Sequence, residues 1–300
     1  MRIAAIDIGT NSVLLTVAEA GPDGLRAVVE RAEITRLGQG VDATGRLSEE
    51  GMARTVAVLK RYAAEARALG AQRIACVATS AARDAANGGE LLNRIGGLAL
   101  TPEIIAGERE AQLVYRAARA DFGGFNRPLA VVDIGGGSTE IVFGRGPDFS
   151  FRESLDLGSV RLTERLVRED PPAPDRPAVR AAAEGALREI PPPPSGADLV
   201  GVAGTVTTLA TLALGLDAYD AARVHGATLE RSDLERLCDR LWALPLADRR
   251  RLPGLQPGRA DVLPAGAQIL LSVLDRLNLP RVLASDRGVR WGLLRELAEG

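Results

Sequence analysis

The stretch AVVDIGGGSTEIVFG, residues 130–144, decides the fold that the sequence predicts. An apolar run ends at Asp133, three glycines and Ser138 follow, and a second apolar run begins at once. Two short apolar runs separated by a glycine turn are typical of a β-hairpin. Glycines permit positive φ and close backbone approach, so successive N–H groups can point into one concavity that binds an anion.

The same pattern opens the chain. The segment AAIDIGTNSVLLTVA, residues 4–18, repeats D-I-G-x-x-S, so that Asp7 and Ser12 correspond to Asp133 and Ser138. After each copy, strand patterns alternate with helix patterns, which is typical of an α/β layer structure. We therefore predict a duplicated α/β fold of two domains, residues 1–124 and 125–300, with the boundary near residues 123–126 and an active-site cleft between the domains.

Both hairpin turns are candidate phosphate sites, because main-chain N–H groups and a serine hydroxyl can hold the anion while a neighbouring carboxylate orients Mg²⁺. The predicted phosphate-binding residues are Asp7, Gly9, Thr10, Asn11 and Ser12 in the first copy and Gly135, Gly136, Gly137 and Ser138 in the second, with Asp133 and Glu140 as carboxylates beside the second turn. An ordinary glycine-rich hairpin explains one copy as well, but is disfavoured for two. A strand, not a helix, follows the glycines and no Gly-Lys-Ser/Thr is present, so neither a dinucleotide fingerprint nor a Walker A loop fits.

Three further segments carry candidate residues. In VGVAGTVTTLA (200–210), Gly204 and Thr205 open a predicted helix whose N–H groups suit an anion, although a plain strand-to-helix turn explains the pattern equally well. Glu108 and Glu110 fall in the first turn of a predicted helix, where acidic residues also suit the helix dipole. Because the predicted phosphate site contains no histidine, a carboxylate has to position and deprotonate water, and Glu110 is a candidate for this base. Arg83 follows a predicted strand, at the edge where ligands bind in α/β folds. It is either a phosphate contact or an ordinary surface arginine.

Capping patterns predict the helix ends. Ser48 precedes two glutamates and a periodic segment that ends at Gly70, which predicts a helix capped by Ser48. Ser232 is predicted to cap the amphipathic segment RSDLERLCDRLWALP, and an Ala-rich helix is predicted over residues 177–190.

Composition limits the partners and the chemistry. The formal net charge is −2, which argues against nucleic acid or an anionic membrane as the main partner. Cys76 and Cys238 form no CxxC pair. His225 is the only histidine, which excludes a histidine-rich metal site and any Ser-His-Asp triad built away from His225. No apolar run approaches the roughly 20 residues that span a bilayer. We expect a cytoplasmic protein with no membrane partner, in which His225 is structural.

Together these segments resemble one family, the exopolyphosphatase/guanosine pentaphosphate phosphatases, within the larger group that includes actin. The matching motifs, in family order, are DIGTNS (7–12), ATSAARDA (78–85), AGEREAQLVY (106–115), DIGGGSTE (133–140), LGSVRLTE (157–164), GVAGTVTTLA (201–210) and SDRGVRWGLLRE (285–296).

The resemblance implies an actin-like (ribonuclease H-like) two-domain fold, with a last helix that packs back on the first domain. It also implies Mg²⁺ at Asp133 and Glu140, Glu110 as catalytic base, Arg83 as a phosphate contact, and a homodimer. Arg109 stands where many relatives carry a second glutamate, which leaves open whether Glu108 shares the role of Glu110.

The predicted activity is Mg²⁺-dependent hydrolysis of the terminal phosphoanhydride of inorganic polyphosphate. Hydrolysis of guanosine pentaphosphate is the nearest alternative, since both activities share the same motifs. An ATP-dependent kinase and a non-enzymatic sensor of phosphate ligands are the others. A polymeric substrate would need arginines leading away from the site, for which the candidates are Arg161, Arg259, Arg287 and Arg290.

Overall fold

The computed structural model of the protein describes residues 1–124 and 126–299. They form two compact units: the first is Met1–Ala117 together with the segment from Val289 onward, and the second is Ala118–Gly288. Phe125, within the predicted boundary region 123–126, lies outside the described residues. The chain thus returns to the first unit for its last helix.

The first unit is built on a five-stranded sheet in the order β3-β2-β1-β4-β5. Its strands are β1 (Arg2–Ile8), β2 (Ser12–Gly21), β3 (Gly24–Ile34), β4 (Arg73–Ala78) and β5 (Pro102–Ile104). Its helices are α1 (Val41–Thr44), α2 (Glu49–Ala68), α3 (Ser80–Asp84), α4 (Gly88–Gly96), α5 (Gly107–Phe122, whose last residues belong to the second unit) and the final helix α13 (Val289–Glu299). β1, β2 and β3 form an antiparallel meander, whereas β1, β4 and β5 are parallel.

The second unit is built on a six-stranded sheet in the order β10-β11-β9-β6-β7-β8. Its strands are β6 (Pro128–Ile134), β7 (Thr139–Arg145), β8 (Asp148–Leu155), β9 (Asp198–Val202), β10 (Thr228–Glu230) and β11 (Arg281–Ala284). Its helices are α6 (Ser159–Leu166), α7 (Arg176–Ala186), α8 (Ala203–Ala213), α9 (Ala221–Val224), α10 (Arg231–Ala243), α11 (Leu246–Arg249) and α12 (Leu263–Leu277).

The two sheets share one topology. β6, β7 and β8 repeat the antiparallel meander, and β9 and β11 lie parallel to β6 as β4 and β5 lie parallel to β1. β10 is the addition, an edge strand that pairs antiparallel to β11. The D-I-G hairpin is the centre of each sheet, and this placement confirms the predicted duplication.

Aliphatic packing supports both units. The central strands β1 and β6 are buried almost throughout, as continuous apolar runs require when both faces of a sheet are covered. In the first unit, α13 packs tightly against α5, because a Cβ on Gly292 would lie 2.3 Å from the carbonyl oxygen of Leu113. This close contact helps to fix α5, which carries Glu110.

The structure confirms one predicted helix cap, contradicts another and shortens one predicted helix. Ser48 caps α2 by accepting a hydrogen bond from the N–H of Gly51, as predicted. The prediction for Ser232 is wrong, since α10 begins at Arg231 and Glu230 is its N-cap residue; the strand that ends at Glu230 sets this boundary. The helix predicted over 177–190 covers Arg176–Ala186. Among the described residues, no helix combines the length and the apolarity that crossing a membrane requires.

Candidate active site

The two hairpin turns have the same closing hydrogen bond. The first loop, residues 9–12, joins β1 to β2, and the N–H of Gly9 donates to the carbonyl oxygen of Ser12 at 3.0 Å. The second loop, residues 135–138, joins β6 to β7, and the N–H of Gly135 donates to the carbonyl oxygen of Ser138 at 3.0 Å. Both serines are buried. The sequence repeat is therefore also a repeat of backbone geometry.

The carbonyl groups of the first loop bind the segment that follows β3. The N–H of Gly38 donates to Thr10 O at 2.8 Å, and the N–H groups of Thr35 and Arg36 donate to Asn11 O at 3.0 and 2.9 Å. In a trans peptide the C=O and the next N–H point in opposite directions. The N–H groups of Asn11 and Ser12 therefore point away from this segment, as a nest for an anion requires.

The carbonyl groups of the second loop bind the N-terminus of α6, where helical N–H groups need acceptors. By the same geometry, the N–H groups that follow these carbonyls point away from α6. The donors and acceptors are Ser159 N to Gly135 O at 3.0 Å, Val160 N and Arg161 N to Gly136 O at 2.9 and 3.1 Å, and Arg161 Nε to Gly137 O at 2.8 Å.

Each loop also packs against a glycine that sequence reasoning missed. A Cβ on Gly38 would lie 2.3 Å from the Thr10 methyl group, and a Cβ on Gly158 would lie 2.2 Å from the carbonyl oxygen of Gly136. The available signal was a second internal repeat, Leu-Gly at residues 37–38 and 157–158, with both leucines buried.

The glycines of the second loop serve close packing. Glycine permits both positive φ and close backbone approach, and the loop uses the second, since none of the three has positive φ among the described residues. The main chain at Gly136 lies against Gly158 instead.

Asp7, at the end of β1, is a buried carboxylate with 9% of its surface exposed. Burial raises its pKa to about 6, and the positive charge of Arg290 partly opposes this shift. Within the described residues, no group hydrogen-bonds to its buried Oδ1. A carboxylate in this state suits a cation or a hydrogen-bond donor supplied by a ligand.

Arg83 and Glu110 reach the same sheet edge as Asp7, since they follow the carboxyl ends of β4 and β5, which run parallel to β1. Arg83 Nη1 donates to Glu110 Oε2 at 3.3 Å and to the carbonyl oxygen of Ile105 at 3.0 Å. Glu110 is buried, with 7% of its surface exposed, whereas Glu108 is exposed. The structure thus distinguishes the two glutamates and pairs the predicted phosphate contact with the predicted base.

Asp133 and Glu140 are cross-strand partners on β6 and β7, so their side chains share one face of the sheet. Both are buried, and Ser154 Oγ donates to Glu140 Oε1 at 2.7 Å. The described residues contain no cluster of three or more side chains that could hold a metal ion alone. The pair nevertheless fits Mg²⁺, which commonly takes one or two carboxylates and completes its shell with phosphate oxygens and water.

The third glycine loop brings a cation to a helix N-terminus. Gly204 and Thr205 lie in the first turn of α8, and Ala203 before them has a strained φ of 70°. The Arg259 guanidinium lies against Gly204, where a Cβ would be 1.8 Å from Nη1, and burial lowers the pKa of Arg259. Two positive features side by side favour an anion here, but phosphate binding by Gly204 and Thr205 stays a prediction.

Two other arginine candidates for a polymer path bind protein groups. Arg287 Nη1 lies 2.8 Å from Asp121 Oδ1, and Arg290 Nη1 donates to Thr16 Oγ1 at 2.9 Å. His225 Nδ1 lies 2.8 Å from Asp286 Oδ1, and a structural role for His225 stays a prediction.

Fold and site together define a class, that of duplicated α/β proteins in which each half presents a serine-ended hairpin loop at the centre of its sheet. The chain belongs to the Ppx/GppA phosphatase family, whose sequence model matches residues 16–299.

Individual relatives agree with this assignment. Exopolyphosphatase 2 of Mycobacterium tuberculosis is 40% identical over 99% of this chain and 98% of its own length. A guanosine-5'-triphosphate,3'-diphosphate pyrophosphatase of Photobacterium profundum is 30% identical over 98% of this chain and 59% of its own. The crystal structure of the Aquifex aeolicus family member has a TM-score of 0.85 and 36% identity, covering 100% of this chain and 98% of that one. The predicted duplicated α/β fold is confirmed.

Proposed function

We propose that this protein hydrolyses the terminal phosphoanhydride bond of inorganic polyphosphate and releases orthophosphate. The observation that supports this most strongly is the pair of equivalent loops, in a chain that aligns almost end to end with a protein named exopolyphosphatase. The loop N–H groups, with Ser12 and Ser138, bind phosphate oxygens of the substrate. Phosphoryl transfer depends mainly on positioning and on neutralising charge, so the mechanism requires no covalent nucleophile.

The carboxylates have separate roles in this proposal. Asp133 and Glu140 would hold Mg²⁺ together with substrate oxygens, and the bound ion would supply positive charge at the transferred phosphoryl group. Glu110 orients a water molecule and accepts its proton, while its bond from Arg83 holds the carboxylate at the edge of the sheet. Burial of Glu110 excludes competing solvent from this carboxylate.

The test is phosphate release from polyphosphate of defined length, with and without Mg²⁺, by wild type, Glu110→Gln and Glu108→Gln. Loss of a group that acts on the transition state typically lowers the rate by about 100- to 10,000-fold. We expect this loss for Glu110→Gln with an unchanged melting temperature. Glu108→Gln is the matched control, because Glu108 lies in the same helical turn but is exposed.

Near-normal turnover by Glu110→Gln would refute its role as base. Wild-type protein that binds polyphosphate without any turnover would instead support a phosphate-ligand sensor, and ADP formation from ATP with an acceptor would support a kinase.

Hydrolysis of the 5′ γ-phosphate of guanosine pentaphosphate is the second candidate function. The relative from Photobacterium profundum favours it, since its name states this class of substrate. Both reactions would use the same loops and the same base. A parallel assay at equal substrate concentrations separates them by the ratio of kcat/KM values.

A further inference from the structure

We propose that Arg161 is a positioning residue that sets the second loop for phosphate binding through the peptide that joins Gly137 to Ser138. This inference deepens the proposed function and rests on it. It assigns a role to the LGSVRLTE motif, which the catalytic proposal leaves unused.

The position of the Arg161 side chain is the first argument. Its Nε donates to Gly137 O at 2.8 Å, and its Nη2 lies 3.7 Å from the exposed Asp156. Only 11% of the side chain is exposed, although arginine usually keeps its head group in water. The positive charge thus lies against the loop.

Comparison of the two loops is the second argument. Asn11 holds the position that Gly137 holds in the repeat, and Asn11 O accepts from two main-chain N–H groups, those of Thr35 and Arg36. In the second loop the Arg161 guanidinium donates to the equivalent carbonyl oxygen. The second loop is also richer in glycine, so its conformation depends more on external contacts.

Electrostatics supply the third argument. A guanidinium at a carbonyl oxygen makes a charge-assisted hydrogen bond and polarises the whole peptide group. The N–H of that peptide belongs to Ser138 and points away from α6. Arg161 therefore orients this N–H and strengthens it as a donor to a phosphate oxygen.

The experiment compares Arg161→Met and Arg161→Lys with Arg165→Met, a control on the same helix whose side chain is exposed. Steady-state phosphate release from polyphosphate, calorimetric binding of inorganic tripolyphosphate with Mg²⁺, and thermal unfolding are measured for each variant. Loss of a charged hydrogen bond corresponds to about 10- to 100-fold. We expect this decrease in kcat/KM for Arg161→Met, with weaker tripolyphosphate binding, partial rescue in Arg161→Lys, and the control within twofold of wild type.

A folded Arg161→Met protein with wild-type kcat/KM and tripolyphosphate affinity would overturn the inference. If Arg161→Met does not fold, Arg161→Gln decides, because glutamine keeps a donor of similar reach without the charge, and a folded glutamine variant with unchanged kinetics and binding overturns the inference as well. If the wild type releases no phosphate, the proposed function fails. Tripolyphosphate binding then still tests Arg161, which makes the two failures distinguishable.

Discussion

The two loops are closed by the same backbone hydrogen bond, but different groups donate to their carbonyl oxygens. In the first unit, the segment after β3 holds the loop with main-chain donors from Thr35, Arg36 and Gly38. In the second unit, the N-terminus of α6 and one arginine side chain hold it. The comparison teaches that the duplicated element is larger than the D-I-G-x-x-S motif, since it includes the Leu-Gly pair after the third strand of each unit.

Among the predictions that compare the two loops, the largest effect tests whether both loops are needed for turnover. Asp7→Asn and Asp133→Asn each remove a buried carboxylate beside one loop. We expect a rate loss of about 100- to 1,000-fold for each in the phosphate-release assay, by analogy with the removal of other preorganised electrostatic groups. A fully active Asp7→Asn enzyme would break the functional equivalence of the loops, and Asp84→Asn, a more exposed carboxylate, is the control.

The next effect concerns the free energy of unfolding, which falls when the buried Asp7 carboxyl group ionises. Its folded-state pKa is about 6 and its ordinary value is 3.8, so between these values the folded protein retains a proton that the unfolded chain has lost. The contribution of Asp7 to the free energy of unfolding therefore falls as pH rises from about 4 to 6, by about 3 kcal/mol, and stays low above that pH.

We expect Asp7→Asn to remove this dependence. The difference in unfolding free energy between variant and wild type should grow in favour of the variant from about pH 4 to 6 and stay level above that, as measured by urea unfolding. A difference that does not change with pH would show that Asp7 titrates normally.

The smallest effect concerns the glycines that pack against the loops. Gly158→Ala is expected to destabilise the protein by about 1–3 kcal/mol, because the added Cβ meets main chain that has no side chain to move. Gly38→Ala meets the Thr10 methyl group instead, so the second substitution Thr10→Ser should recover part of its loss.

Urea unfolding measures these losses, with Gly185→Ala as the control, since a Cβ there meets nothing within 4 Å. If adding Thr10→Ser to Gly38→Ala recovers no stability, the Thr10 methyl group does not limit the space at Gly38. The contacts that hold the two loops then do not differ in the way that the structure indicates.

Much of this arrangement could be predicted from local pattern. The hairpins, the duplication, the Ser48 cap and the placement of Glu110 in the first turn of a helix follow from short-range signals. The boundary of α10 was missed at Ser232, because pairing of β10 with β11 overrides the preference of serine for a cap. The Arg83–Glu110 contact was missed because it joins residues that follow two different strands.

The sequence by itself determined that two D-I-G-x-x-S hairpins exist, that each begins an α/β half, and which family the chain resembles. These properties depend on the order of neighbouring residues, which a linear pattern records. Only the tertiary structure decided that Asp7 is buried with a raised pKa, that Glu110 and not Glu108 is buried beside Arg83, and that Arg161 holds Gly137. Burial and long-range hydrogen bonds depend on which elements pack together, and that information is not present in any single segment.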